Sequence, residues 1–95
     1  MTLEEAKAEI RDVIIHAGER GFYPEERRRI DAALAVLRSH ARGDDHHHIL
    51  ELQQWIDVFA SPRKGDKYGG GYQQVRVWIL GCLDKIGWET SPPQQ

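Results

Sequence analysis

Apolar residues recur at three- and four-residue steps in four separate stretches, and this pattern constrains the chain more than any other feature. The first stretch carries Leu3, Ala6, Ile10, Val13, Ile14 and Ala17, and the second Ile30, Ala33, Leu34, Leu37 and Ala41. The third has Ile49, Leu52, Trp55, Ile56 and Phe59, and the fourth Tyr72, Val75, Trp78, Ile79, Cys82, Leu83 and Ile86. A helix of 3.6 residues per turn gathers such positions into one stripe, whereas a strand scatters them over both faces. Each stretch therefore predicts an amphipathic helix, and four stripes of this kind bury one another in an all-α bundle.

The residues between the stripes punctuate them in the same sense. Thr2 followed three residues later by Glu5 has the spacing of a capping box, with Glu4, Glu5, Lys7 and Arg11 expected to face away from the stripe. Gly21-Phe22-Tyr23-Pro24 is a break, and Pro24 suits a first helical turn because its missing N–H would have been unbonded there. Gly43 reads as the left-handed stop of a helix reaching Arg42, Asp44 and Asp45 as N-cap chemistry for the next, and Ser61-Pro62 as its end. Helices are predicted over residues 2–20, 24–42, 45–60 and 72–86. Val75 to Leu80 is rich in β-branched and aromatic residues and would suit a strand. The helical spacing continues through Ile86, however, and a lone strand would have nothing to pair with.

Ninety-five residues make one domain, predicted over residues 1–88 with a flexible tail at 89–95. The net charge of -2 argues against a generally basic nucleic-acid binder. No apolar run approaches the roughly 20 residues that cross a bilayer. The amino terminus enters acidic, amphipathic sequence directly, with no signal-peptide pattern, and the single Cys82 fits a reducing compartment. A cytoplasmic protein without membrane contact is the expectation.

The net charge hides a segregation. Asp44, Asp45, Glu51 and Asp57 fall in a segment with no Lys or Arg, and the basic loop between helices three and four follows at once. Within ten residues that loop holds Arg63, Lys64 and Lys67, glycines 65, 69, 70 and 71, and the tyrosines Tyr68 and Tyr72. Glycines allow backbone N–H groups to approach an anion, and a helix starting at Tyr72 adds its free N–H groups and the positive end of its dipole. The expected ligand set is Arg63, Lys64, Lys67, Tyr68, Gly69, Gly70, Gly71, Tyr72 and Arg76, with a tyrosine as stacking face for a base. The loop is neither a Walker loop, having no Gly-Lys-Ser or Gly-Lys-Thr, nor a dinucleotide fingerprint, having no preceding strand. A plain connector between helices is the competing reading.

Other candidates carry less. His46, His47 and His48 are adjacent, and adjacent helical residues project about 100 degrees apart, which suits a metal ion poorly. Cys82 lies on an apolar stripe and reads as a buried thiol, not a nucleophile. Arg27, Arg38 and Arg42 share one flank of the second helix, with Asp31 placed to pair with Arg27; a solvated edge is the plain reading and an anionic or acidic partner the sharper one. Ile15, Leu50, Val58, Val77 and Leu80 miss the stripes and point to coverage by another chain.

These features together predict a small non-enzymatic helical binding protein, without metal or cofactor, that recognises or sequesters a phosphate-bearing ligand (a nucleotide or a nucleic-acid backbone) as a homo-oligomer. The alternative is a protein-interaction module, an adaptor or inhibitor, working through exposed apolar and Arg-bearing helix faces.

Overall fold

A computed structural model describes residues 1–17, 21–60 and 71–86. These form four α-helices and, among the described residues, no strand: α1 (Leu3–His16), α2 (Pro24–His40), α3 (Asp45–Phe59) and α4 (Gly71–Lys85). α1 packs on α2 and α3 on α4, and the ring closes through α1 with α4 and α2 with α3. Neighbours run antiparallel. Glu51 meets Cys82 while Trp55 meets Trp78, and Lys7 meets Ile86 while Ala17 meets Arg76.

The periodic stripes become the core. The buried apolar residues are Ala6, Ile10, Val13, Ile14 and Ala17 from α1, with Ile30, Ala33, Leu34 and Leu37 from α2. Ile49, Leu52, Ile56 and Phe59 join them from α3, and Val75, Ile79, Cys82, Leu83 and Ile86 from α4 and its end. Every one lies on a predicted stripe, because a 3.6-residue period leaves a bundle no other way to bury apolar area. Leu3, Ala41, Trp55 and Trp78 sit at the rim, packed against the core but half-buried.

The start of α1 is the predicted capping box: Glu5 N–H donates to Thr2 Oγ1 at 3.1 Å and Thr2 N–H donates to Glu5 Oε1 at 2.9 Å. The Thr2 backbone donor, then its side chain, hold the Glu5 carboxyl below the usual range. At the start of α2, Tyr23 N–H likewise donates to Glu26 Oε1 at 2.9 Å, behind Pro24.

Four boundaries or orientations differ from expectation. α1, predicted to reach residue 20, ends at His16, with Ala17 already extended at φ -76, ψ 148. Lys7 is buried, only 8% exposed, because its ammonium crosses to α4 and donates to the Ile86 carbonyl at 2.8 Å. A long aliphatic stem lets a lysine lie across apolar surface while its head reaches a polar target. α2 ends at His40, with Ala41 already extended at φ -66, ψ 138; Gly43 is left-handed at φ 55, but in the turn beyond the helix and not as its cap. Asp44 caps nothing with its side chain. Asp45 is buried, and its carboxylate accepts the Arg42 N–H at 3.2 Å while its own N–H donates back to the Arg42 carbonyl at 3.0 Å. That reciprocal pair closes the short α2–α3 turn.

Gly21 is left-handed at φ 75, and a Cβ there would stand 2.9 Å from the Ala60 carbonyl oxygen. Glycine permits both the backbone angle and the approach of this connection to the end of α3. The Phe22 and Phe59 rings then stack 5.3 Å apart over the same junction.

Candidate functional site

The described residues reach the predicted loop site only from its carboxy-terminal side. Arg63, Lys64, Lys67, Tyr68, Gly69 and Gly70 lie outside them, as do residues 87–95, which include the predicted tail. Gly71 and Tyr72 are the first two residues of α4, one residue ahead of the predicted start. This helix opens differently from the others. The first turns of α1, α2 and α3 carry Glu4 and Glu5, Glu25 and Glu26, and Asp45, whereas the first turn of α4 carries no acid. Carboxylates near a helix start offset the positive end of its dipole, and α4 supplies none of its own.

Arg76 has a place in the fold. Its guanidinium donates to the Ala17 carbonyl at the end of α1 and lies 6.0 Å from the centroid of the Phe59 ring. A cation at the last carbonyls of a helix is favourable for the same dipole reason, with the sign reversed. An anion drawing on Arg76 has to compete with that bond.

On the seam between α3 and α4, Cys82 Sγ lies 3.7 Å from Glu51 Oε2, and His47 Nε2 lies 3.7 Å from Glu51 Oε1. Burial first, then the charge and hydrogen bond of Glu51, push the Cys82 thiol up to about 11. A thiol held protonated near neutral pH is a hydrogen-bond donor and a poor nucleophile. His46 and His47 are exposed and His48 half-buried, with the rings of His47 and His48 5.8 Å apart and edge-on. His40 Nδ1 is 2.9 Å from the Val36 carbonyl of its own helix. Among the described residues no three His, Cys, Asp or Glu side chains converge in a way that holds a metal ion.

The arginine flank of α2 faces α3 across an open groove of about 320 Å³ lined by Arg27, Asp31, Leu34, Arg38, Gln53 and Asp57. Arg27 makes the predicted contact with Asp31 at 3.2 Å and a second one with Asp57 of α3, also at 3.2 Å. Arg38 is exposed and has no hydrogen bond or ion pair from its side chain among the described residues. Arg42 lies apart, beside Leu3, Ser39, His40 and Ala41 in a second hollow of about 310 Å³. The α3 half of the groove, Gln53 and Asp57, was not apparent in the sequence, where both are polar residues on a solvated helix flank. Arg29, also missed, binds Glu9 and Asp12 of α1, and these bonds, Glu9 first, raise its already high pKa.

Of the five apolar residues off the stripes, Ile15, Leu50 and Val77 are 51%, 59% and 61% exposed. Val58 and Leu80 instead pack against the edge of the core. No described helix is long and apolar enough to cross a membrane. In comparisons with known proteins, the chain matches no protein-family model, no curated sequence and no solved structure.

Proposed function

We propose that this chain is a small non-enzymatic binding protein which recognises or sequesters a phosphate-bearing ligand, a nucleotide or a nucleic-acid backbone, through its basic glycine-rich loop. The single observation that carries this reading is the start of α4. A helix beginning at Gly71, with no acid in its first turn, directly follows a sequence holding Arg63, Lys64 and Lys67. A cation held within a turn of a helix start opposes its dipole by about 0.3 to 1 kcal/mol, where the other helices place acids. A bound phosphate would reverse the sign of that interaction and accept the N–H groups of the glycines. Lys64, Lys67 and the backbone at Gly69, Gly70 and Gly71 are the core of the site in this reading, with Tyr68 or Tyr72 stacking on a base; Arg76 is a secondary member because of its bond to Ala17.

The protein acts in the cytoplasm as one domain over residues 1–88, in this proposal, and as a homo-oligomer, since Ile15, Leu50 and Val77 are exposed. Those same residues favour a second reading, an adaptor or inhibitor that binds a protein partner through helix faces. Calorimetric titration of nucleotides and short oligonucleotides separates the two. Wild type should bind one of them more weakly as salt rises, with Lys67→Ala losing roughly 1.5 to 3 kcal/mol and Gly70→Val a comparable amount. If wild type binds none, or both variants bind as well as wild type, the loop is a connector and the protein-interaction reading takes its place.

A further inference from the structure

We propose that the groove between α2 and α3 is the surface on which two copies of this chain pair, about a two-fold axis that crosses the groove at right angles to the helices. This deepens the self-association part of the proposed function and is independent of the loop and its ligand.

The groove has unlike ends. At one, Arg27 is bound by Asp31 and Asp57, so two carboxylates outnumber one guanidinium and the end is net negative. At the other, Arg38 is exposed with no charge partner among the described residues, so that end is net positive. Asp31 and Arg38 are seven positions apart, about 10 Å along a helix axis, and the buried Leu34 lies between them. With two cations and two carboxylates in its lining, the groove is balanced overall and offers little to a simple anion or to a uniformly acidic segment. A face that is negative at one end and positive at the other is instead complementary to itself turned end for end.

The symmetry follows from the charges. A two-fold axis parallel to the helices would set Arg38 against Arg38, which repels. An axis across the groove lays α2 antiparallel on α2 of the second copy, so Arg38 of each meets Asp31 and Asp57 of the other, twice per dimer. Ala35 is exposed on α2 beside these charges and leaves the two helices room to approach. Leu50, 59% exposed and one turn before Gln53 on α3, lies beside the groove and would be covered by the second copy.

Sedimentation velocity on the full chain at low and high micromolar concentration tests this with three variants. Arg38→Glu should weaken the dimer about a hundredfold or more, since it puts like charges together at both symmetric contacts. Lys85→Glu makes the same charge change at an exposed site of α4, outside the groove lining, and should leave the dimer nearly unchanged. Asp31→Arg combined with Arg38→Glu reverses the polarity of the groove while keeping it self-complementary, and should restore the dimer. Circular dichroism confirms that each variant is folded. A dimer indifferent to Arg38→Glu, or equally weakened by Lys85→Glu, overturns the groove and leaves self-association by another face. A monomeric wild type at the highest concentration overturns self-association itself, with the loop's ligand still to be tested separately.

Discussion

The seam between α1 and α4 and the seam between α2 and α3 are built from the same kinds of residue and put them to opposite uses. Across the first, each helix sends a cation to the carbonyls that end the other: Lys7 to Ile86, and Arg76 to Ala17. Arg11 and Asp84 add a contact at 3.3 Å between them. Across the second, Arg27 reaches an exposed Asp57, Arg38 reaches nothing among the described residues, and a groove opens. The difference has a covalent origin. α2 and α3 are consecutive and joined by a short turn that Asp45 and Arg42 close, so the chain itself holds them together. α1 and α4 are not consecutive, and only side chains hold the bundle shut there. A seam already tethered leaves its charges available for a partner; an untethered one commits them to the fold.

The largest expected effect tests that division directly. Lys7→Met keeps the stem and removes the ammonium, leaving the Ile86 carbonyl without its donor; Arg76→Met does the same to Ala17. Each should cost about 1.5 to 3 kcal/mol, the range for a hydrogen bond from a charged group. Arg27→Met, measured in the same urea titrations, should cost well under either. Equal losses for all three would erase the distinction between the seams.

A third seam, α3 with α4, sharpens the comparison through pH. Its Cys82 thiol is raised to about 11, above the value of 9.0 for a free thiol, by burial and by Glu51. Between those values the folded chain keeps a proton that the unfolded chain has lost, so unfolding releases a proton and stability falls as pH rises from about 9 to about 11. Below about 9 both states are protonated and the contribution is constant. Lysines titrate in the same window, and the comparison with Cys82→Ala removes them: the difference in stability between wild type and variant should narrow as pH rises. A difference that stays flat would mean that the thiol is open to water.

Most of the fold is legible in the sequence because it depends on one period. The stripes name every buried apolar residue, and a helix over Val75 to Leu80 follows from spacing that a strand would waste. The polar seams are another matter. Lys7 reads as a surface residue from its charge, although Leu3 and Ile10 stand one turn to either side of it; its target, the Ile86 carbonyl, is distant in sequence and is a backbone atom with no residue signature. Arg27 with Asp31 was visible because both lie on one helix, whereas Asp57 was not, because the pairing of α2 with α3 sets it. Asp45 shows the same limit on a smaller scale: a residue type suited to capping the helix ahead of it turns back to hold the chain behind it. For the candidate site, the arginine flank was legible and its partner wall was not.

The smallest effect concerns the Arg27 to Asp57 pair, a direct charge contact across the tethered seam. The Asp57 side chain is 64% exposed and that of Arg27 37%, so water screens the attraction and the long Arg27 side chain loses freedom to make it. A double-mutant cycle of Arg27→Met with Asp57→Asn should return a coupling of about 0.2 to 1 kcal/mol, and less in high salt. Asp31 holds Arg27 from the same helix and keeps the guanidinium paired when Asp57 is neutralised, which pulls the expected value toward the lower end. Removing Asp31 first should therefore raise the coupling measured for Asp57, because the guanidinium would then depend on one carboxylate instead of two. A coupling above the expected range in the wild-type background, unchanged by salt, would mean that the α2–α3 seam is held by its side chains after all, and the contrast with α1 and α4 would no longer rest on the turn that joins it.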